Sequence, residues 1–405
     1  MKNDIRKVLL VSFFKGLYFY IPILTLYFLN NGVTLEAIVF SQILYSICSF
    51  LGELPTGIFA DKFGQKAAML TGYFLDALGI LLMLIWPTTS FLFFALGLRG
   101  LAGSFMSGAE ESVLYEITKG KNYSKYYAKF LSNEVLGGGT AAIVAGFIIQ
   151  TYGTASYPFL FISTVASILS AGFITLTLKY SKPTENKDNQ HRKPVKEIVT
   201  ESWQIFKKND KILFLTIATV LTLNGEYFLQ GVNQPLFIER NIAPLFLGVS
   251  IGLGSFLNYF CTRNSYLLEK FLSLDKILLL INLLIAILYF VLAWVANPFI
   301  FVGGFILIQG LFNSQNPIVS DYINSDTPSN IRSTVLSSIS FVKNLAQILV
   351  RIGLVIILGY TGIVQTLAIN GAYMFTGALI SYYLLVKCGC VIKITKHFET
   401  AGFLN

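Results

Sequence analysis

The sequence predicts an all-α integral membrane protein with twelve transmembrane helices in two six-helix bundles, and three observations predict it. The first is composition. Of 405 residues, 54% are hydrophobic and 13% charged, with a mean hydropathy of +0.66. Water-soluble domains carry about 25% charged residues, so this chain has too few to cover a large surface against water. The second is the recurrence of apolar runs. A spanning helix needs about 20 mostly apolar residues, and runs of that size recur about twelve times along the chain. The third is charge placement: Lys and Arg concentrate in alternate connecting loops, as the positive-inside bias requires.

The runs fall at 8–29, 35–60, 67–87, 90–116, 127–150, 155–178, 211–238, 245–263, 275–296, 299–322, 332–358 and 362–387. The longest polar segment, 179–210, contains Ser181-Lys182-Pro183-Thr184-Glu185-Asn186-Lys187 and separates six spans from six. The organisation is therefore an N-terminal bundle at 1–178, a cytoplasmic linker at 179–210, a C-terminal bundle at 211–388 and a cytoplasmic tail at 389–405. Lys2, Arg6 and Lys7 precede the first run as in a signal peptide, but the run is too long and lacks a clear cleavage site. It reads as an uncleaved first span.

With a cytoplasmic N-terminus, the cytoplasmic segments hold Lys62, Lys66, Lys119, Lys121, Lys125, the cluster from Lys179 to Lys211, Lys270, Lys276, Arg332, Lys387, Lys393 and Lys396. The opposite loops hold none except Arg240, near the end of span 7. Both termini are then cytoplasmic, and the protein is a multi-pass component of the cell (inner or plasma) membrane. The net charge of +9 is topology charge that favours anionic lipid head groups, not a nucleic-acid surface. Cys48, Cys261, Cys388 and Cys390 lie in or at the ends of apolar runs, and His191 and His397 lie in polar segments. That pattern offers neither a metal site nor a disulfide framework, and no cofactor is expected.

Charges inside the spans come next, because an ionisable side chain at membrane depth costs about 2.5–3.5 kcal/mol or more and needs a partner, water or a role. Lys15 in span 1 and Glu53 in span 2 both fall in the inner half, where they form either a latch or a proton-exchanging pair. Asp76, Arg99 and Glu134 lie near mid-depth of spans 3, 4 and 5. Eleven residues separate Arg99 from Glu110, close to three helical turns, so the two share a face. Arg keeps its charge, so a carboxylate that binds and releases a proton beside it changes the local net charge. Glu53, Asp76, Arg99, Glu110, Glu134 and Glu226 are the candidates for proton coupling; a permanent salt bridge is the plainer reading of each pair.

Span 7 carries Asn224, Glu226, Gln230, Asn233 and Gln234, too many polar groups for a lipid face. Positions 226, 230 and 233 form one helical stripe, which reads as a cavity wall or as helix–helix hydrogen bonding. Pro235 is expected to kink or end the helix. Lys343 and Arg351 lie eight residues apart on span 11, facing acidic partners such as Glu226 and Asp321, or an anionic substrate. Tyr18, Phe19 and Tyr20 are pocket lining or ordinary membrane filler.

A charged stretch, Gly52-Glu53-Leu54-Pro55-Thr56-Gly57-Ile58-Phe59-Ala60-Asp61-Lys62-Phe63-Gly64-Gln65-Lys66, forms a very tight turn between spans 2 and 3. Gly57, Asp61, Lys62, Gly64 and Lys66 match a G-x-x-x-D-[RK]-x-G-[RK]-[RK] pattern, with Gln65 in place of a basic residue. The stretch thereby resembles the helix 2–3 loop signature of the major facilitator superfamily. Glu53-x-Pro55 upstream is similar to the variant in one group of tetracycline exporters. Arg99 and Gly103 resemble the superfamily's helix-4 signature R-x-x-x-G. Span 5 holds Gly137-Gly138-Gly139 and Gly146 where antiporters of the superfamily carry a glycine- and proline-rich signature, here without its proline. A short repeat supports a two-bundle architecture: at an offset of 207 residues, Gly103, Phe105, Ser107 and Tyr115 meet Gly310, Phe312, Ser314 and Tyr322.

The resemblance implies a major facilitator fold with the substrate site between two bundles. It also implies a role for Arg99 in proton coupling, and a gating loop whose Asp61 docks near the N-terminus of span 11. An anion is favoured there by the helix dipole. No P-loop or nucleophile constellation is present, and Gly252-Leu253-Gly254 lies inside a span, so ATP is not the expected driver and no enzymatic activity is expected. The reading is proton-coupled efflux of a small drug-like molecule or metabolite by alternating access. Partners are the substrate, protons and membrane lipids, and the protein is a monomer. Alternatives are an exporter of an anionic metabolite or siderophore, a proton-coupled importer of a polar nutrient, or a non-transporting sensor or scaffold.

Overall fold

The structure, a computed structural model, describes residues 2–118, 123–179, 210–223, 226–319, 322 and 332–387. These residues include fourteen α-helices and a few short helical turns, with no strand among them. In chain order the helices are α1 (Lys2–Gly16), α2 (Leu24–Asn30), α3 (Leu35–Phe63), α4 (Gln65–Ile85), α5 (Thr89–Thr118), α6 (Tyr123–Tyr152) and α7 (Tyr157–Leu176). They continue with α8 (Asp210–Leu223), α9 (Glu226–Glu239), α10 (Pro244–Arg263), α11 (Leu274–Trp294), α12 (Pro298–Phe312), α13 (Arg332–Thr361) and α14 (Ile363–Lys387). Ten helical stretches among the described residues are long and apolar enough to cross a membrane, and one of them, Tyr126–Leu176, contains both α6 and α7. An all-helical answer suits lipid, because a spanning helix satisfies its own backbone by hydrogen bonds within the segment.

Local chemistry sets the helix ends. The Thr34 hydroxyl accepts from the Ala37 amide at 3.3 Å and caps the N-terminus of α3, as Ser and Thr commonly do. Gly64 has φ +95°, a conformation that only glycine adopts without strain. It reverses the chain in one residue. The charged stretch is therefore not a loop: Glu53 and Pro55 lie inside α3, Asp61 and Lys62 sit on its last turn, and Gln65 already begins α4. Span 1 is less regular than its apolar run predicts. It breaks after Gly16 and resumes at Leu24 through a single turn at Ile21–Ile23 that contains Pro22. In span 7, Pro235 lies inside α9, which runs on to Glu239.

By contacts the chain forms two compact units, one of residues 1–192 and 229–256, the other of 193–228 and 257–405. In the first, α3 and α4 pack along α5, and α1 packs along α6 and α7. Tyr20, Phe28, Met69, Tyr73, Ile80 and Phe161 are fully buried between them. Residues 229–256 follow the linker in sequence yet pack in this unit. Small residues explain it: a Cβ on Gly146 would lie 3.1 Å from the Gly248 Cα, and one on Gly139 3.3 Å from the Gly252 carbonyl oxygen. Backbones of α6 and α10 thus touch where larger side chains would hold them apart.

In the second unit α11 and α8 pack along α14, and α13 lies beside α8. A buried Asn282 amide donates to Gln315 Oε1 at 2.9 Å. Outward-facing Leu51, Phe74 and Phe173 of the first unit and Trp294, Phe299 and Tyr383 of the second remain more than half exposed. Apolar exposure of that kind on long helices suits a lipid environment.

Gly100 marks a tight crossing of α5 on α3, where an added Cβ would run into the Tyr45 carbonyl oxygen. A backbone atom cannot swing aside, so Gly100→Ala is expected to cost about 1–3 kcal/mol by overpacking. Gly303 on α12 has nothing within 4 Å of such a Cβ. There the same change is expected to be neutral or to gain about 0.5–1 kcal/mol in helix propensity. Thermal unfolding of the two purified variants checks the contrast.

Candidate functional site

Two clusters of charge are buried in the first unit. In one, Arg99 of α5 pairs with Asp76 of α4, Nε to Oδ1 at 2.7 Å, with both side chains nearly buried. Room for the guanidinium comes from Gly79, whose Cβ would meet Arg99 Cγ. The Tyr18 hydroxyl donates to the second carboxylate oxygen of Asp76 at 2.7 Å, and Arg99 Nη1 donates to the Tyr20 hydroxyl. The Tyr18 and Tyr20 rings lie 5.4 and 5.5 Å from the guanidinium carbon. Both tyrosines come from the break between α1 and α2, where the Tyr18 amide donates to the Gly16 carbonyl at 2.8 Å. A helix continuing through this break would not deliver both hydroxyls in this way, so the irregular backbone positions the cluster.

In the other cluster, Lys15 of α1 bridges two acids. Its Nζ lies 2.8 Å from Glu110 Oε2 on α5 and 2.9 Å from Glu134 Oε2 on α6. The Tyr73 hydroxyl on α4 donates to the remaining Glu110 oxygen at 2.8 Å. Lys15 also sits over the Phe130 ring, 5.3 Å from its centroid. Glu110 is 4% exposed and Glu134 35%. A buried ion needs both a counter-charge and hydrogen bonds to offset its lost hydration. Glu110 has both, through Lys15 and Tyr73.

The expected pairing of Lys15 with Glu53 is corrected: the salt bridges of Lys15 run to Glu110 and Glu134, while Glu53 is an exposed residue of α3 with contacts of its own. Arg99 and Glu110 do share the buried side of α5, but each serves a different cluster. Tyr73 was not among the residues read from the sequence. It stands three positions before Asp76 on the same helix, which places the two on one face, and that spacing is the signal that finds it.

Gln234 of α9, expected to line a cavity, is committed to backbone. Its Oε1 accepts from the Leu26 amide at 2.9 Å, and its Nε2 donates to the Ile21 carbonyl at 2.7 Å. Leu26 lies in the first turn of α2, a helix with no side-chain N-cap, so its amide has no partner within the helix. Gln234 supplies one from a distant segment. Gln234→Ala leaves the part-buried Leu26 amide and Ile21 carbonyl without this partner, at a cost of up to about 1–3 kcal/mol for an unsatisfied group. Faster hydrogen–deuterium exchange in residues 21–30 is the expected readout.

Among the other expected site residues, Asn233 is buried and its Oδ1 accepts from the Gln234 amide at 2.8 Å. Gly57 is buried and Lys62 exposed. Lys66 caps the end of α7, donating to the Leu176 carbonyl at 2.5 Å and the Leu178 carbonyl at 3.3 Å. A cation is favoured at that negative end of a helix. On α13, Arg351 is buried and engaged, and Lys343 is half-buried. Asn224 and Asp321, and the side chains of Asp61, Glu226 and Gln230, lie outside the described residues.

A family model described as Major Facilitator Superfamily matches residues 8–350. The chain is 22% identical over 338 residues to the uncharacterized MFS-type transporter YxaM of Bacillus subtilis (strain 168), covering 81% of this chain and 82% of that protein. A shorter match, 26% over 120 residues, covers 29% of this chain and 28% of the multidrug resistance protein MdtH of Yersinia enterocolitica serotype O:8 / biotype 1B (strain NCTC 13174 / 8081). Among solved structures, the nucleoside transporter NupG superposes with a TM-score of 0.75 at 15% identity, covering 95% of this chain and 99% of that one. The inward-open xylose transporter XylE from E. coli superposes with 0.71 at 12% identity, covering 94% and 95%. At such identities the superpositions carry the fold alone.

Proposed function

The chain belongs to the Major Facilitator Superfamily, and from that premise we propose that it exports a small drug-like molecule or metabolite in exchange for protons, by alternating access. The observation that carries this reading is the charge buried in the first unit. Three carboxylates, Asp76, Glu110 and Glu134, face two cations, Lys15 and Arg99. Charges at membrane depth mark ion pathways and proton relays, and an acid in excess of its counter-ions invites a proton.

Efflux is favoured by the Glu53-x-Pro55 pattern, similar to that of one group of tetracycline exporters, and by the shorter match to a protein named for multidrug resistance. In this proposal the segment with Gly57, Asp61, Lys62, Gly64 and Lys66 gates the cytoplasmic side, and both termini are cytoplasmic. The protein works as a monomer in the cell membrane. Asn224, Glu226, Gln230 and Asn233 line the substrate path of this proposal together with Tyr18. A second reading, export of an anionic metabolite, draws on Arg351 and Lys343 of α13, two cations set into one apolar helix.

Purified protein in liposomes with an acid interior tests both, using ethidium as the drug-like probe and citrate as the anionic one. Ethidium accumulation that stops when nigericin collapses the pH gradient is the expected result. Gradient-driven citrate accumulation without ethidium selects the second reading. Movement of either probe that ignores the gradient, or movement of neither, overturns proton-coupled efflux of these classes.

A further inference from the structure

Helix α13 has two faces. Leu345, Leu349, Ile352 and Ile356 recur at the spacing of one helical stripe, and all four are exposed. An exposed apolar stripe on a spanning helix is the face it turns to lipid. About half a turn round the helix, Lys343, Gln347 and Arg351 follow one another at four-residue steps, with Asn344 beside Lys343. Arg351 is buried and engaged. Lys343, Asn344 and Gln347 are half-buried, and none of the three has a hydrogen-bond or ion-pair partner among the described residues.

Lys343 stands eleven residues into a helix that begins at Arg332. That is about 16 Å along the axis, near the middle of a hydrocarbon core about 30 Å thick. A cation at such depth is expected to have a counter-charge, and those of the first unit do: Arg99 pairs with Asp76, and Lys15 with Glu110 and Glu134. In the second unit the described acidic side chains are Glu269, in the turn before α11, and Asp275, in the first turn of α11. Both sit at a helix end rather than at mid-depth, and neither pairs with Lys343.

The neighbours of the ammonium set the class of anion that completes it. Gln347 lies one turn further along on the same face, and the amides of Asn344 and Gln347 each offer two N–H donors and a carbonyl acceptor. Polar groups inside a membrane are costly until a partner satisfies them. A carboxylate accepts from these donors beside the ammonium, and a hydroxyl or amide elsewhere on the same molecule donates to the carbonyls. We infer that Lys343, Asn344 and Gln347 are a binding site for a small organic carboxylate, with Lys343 supplying the charge and the two amides the orientation. This rests on the second reading above, export of an anionic metabolite, and gives it three contact residues. Arg351, one turn beyond Gln347, adds positive potential while holding its own partner.

An unpaired charge within a span costs stability, and sites that bind a ligand trade stability for function in this way. Lys343→Met is therefore expected to raise the unfolding midpoint of the anion-free protein while weakening anion binding. A lysine with a purely structural role would show neither effect.

The full chain, purified in detergent, is titrated with citrate, with benzoate and with benzamide, the uncharged counterpart of benzoate. Binding is read as the rise in the thermal unfolding midpoint. The expected result is a rise with at least one of the two carboxylates and none with benzamide. That carboxylate binds at least about tenfold more weakly to Lys343→Met, as loss of a charged hydrogen-bonding partner implies, and also more weakly to Gln347→Ala. Lys276→Met, which removes an exposed cation of α11, binds as wild type. No rise with either carboxylate, equal binding by Lys343→Met, an equal rise with benzamide, or equal weakening in Lys276→Met overturns the site. Should Lys343→Met not be recovered folded, Lys343→Gln, which keeps a polar group, takes its place with the same outcomes. Loss of both, or a lowered midpoint in the anion-free variant, identifies a structural charge and overturns the site. The transport reading fails separately: a carboxylate that binds here yet does not move in the liposomes overturns anion export and leaves the site standing. Gradient-driven ethidium movement without carboxylate binding overturns the site and leaves the drug-like reading standing.

Discussion

Arg99→Met is expected to destabilise the folded protein by about 3–5 kcal/mol, the usual cost of removing one partner from a buried ion pair. Asp76 would lose its cation in a site where it is 3% exposed, keeping the Tyr18 hydroxyl as a donor. The Tyr20 hydroxyl would lose its bond to the guanidinium as well. Methionine preserves most of the volume beside Gly79, so the loss reports charge and hydrogen bonding more than packing. The decisive measurement is a double-mutant cycle on thermal unfolding, with Arg99→Met, Asp76→Asn and the two combined. Contacting residues in one network are strongly non-additive, so the double variant should be more stable than the sum of the single losses implies. Additive losses would show that the two side chains act independently and that the bridge contributes little.

Lys15→Met has the second large effect. Without the ammonium, Glu110 and Glu134 face each other with no cation between them, and removing one partner of a buried ion pair costs about 3–5 kcal/mol. Glu110, at 4% exposed against 35% for Glu134, carries most of that penalty. Adding Glu110→Gln to the variant removes the buried acid and is expected to recover much of the loss on thermal unfolding. A Lys15→Met protein that unfolds at the wild-type midpoint would show that the ammonium contributes little to holding the two acids.

How far the site is readable before folding is clearest at three residues. Arg99 is conspicuous in an apolar run, because any charge there demands a partner. Asp76 is conspicuous for the same reason, but nothing in the spacing says that the two meet. Lys15 illustrates the limit: Glu53 lies at a matching depth in the next span, yet the lysine pairs with acids 95 and 119 positions away. Depth along a helix is a local quantity, whereas the face a helix turns to its neighbour is not. Gln234 shows the limit from the other side. Its polarity in an apolar run signals a role, but that role, capping α2, depends on a break in the first span that hydropathy does not register.

By itself the sequence determined the class, the approximate positions of the spans and which side chains carry charge into them. Each follows from apolar stretches of about 20 residues, the length a spanning helix needs, meeting a solvent that leaves no backbone group unpaired. Only the tertiary structure decided the partnerships, because they are set where helices cross. The crossings depend on glycines such as Gly16, Gly100 and Gly137 lying opposite backbone atoms of another helix. A pairing energy falls away over a few ångströms, so a small shift at a crossing separates a neutral bridge from a charged triad.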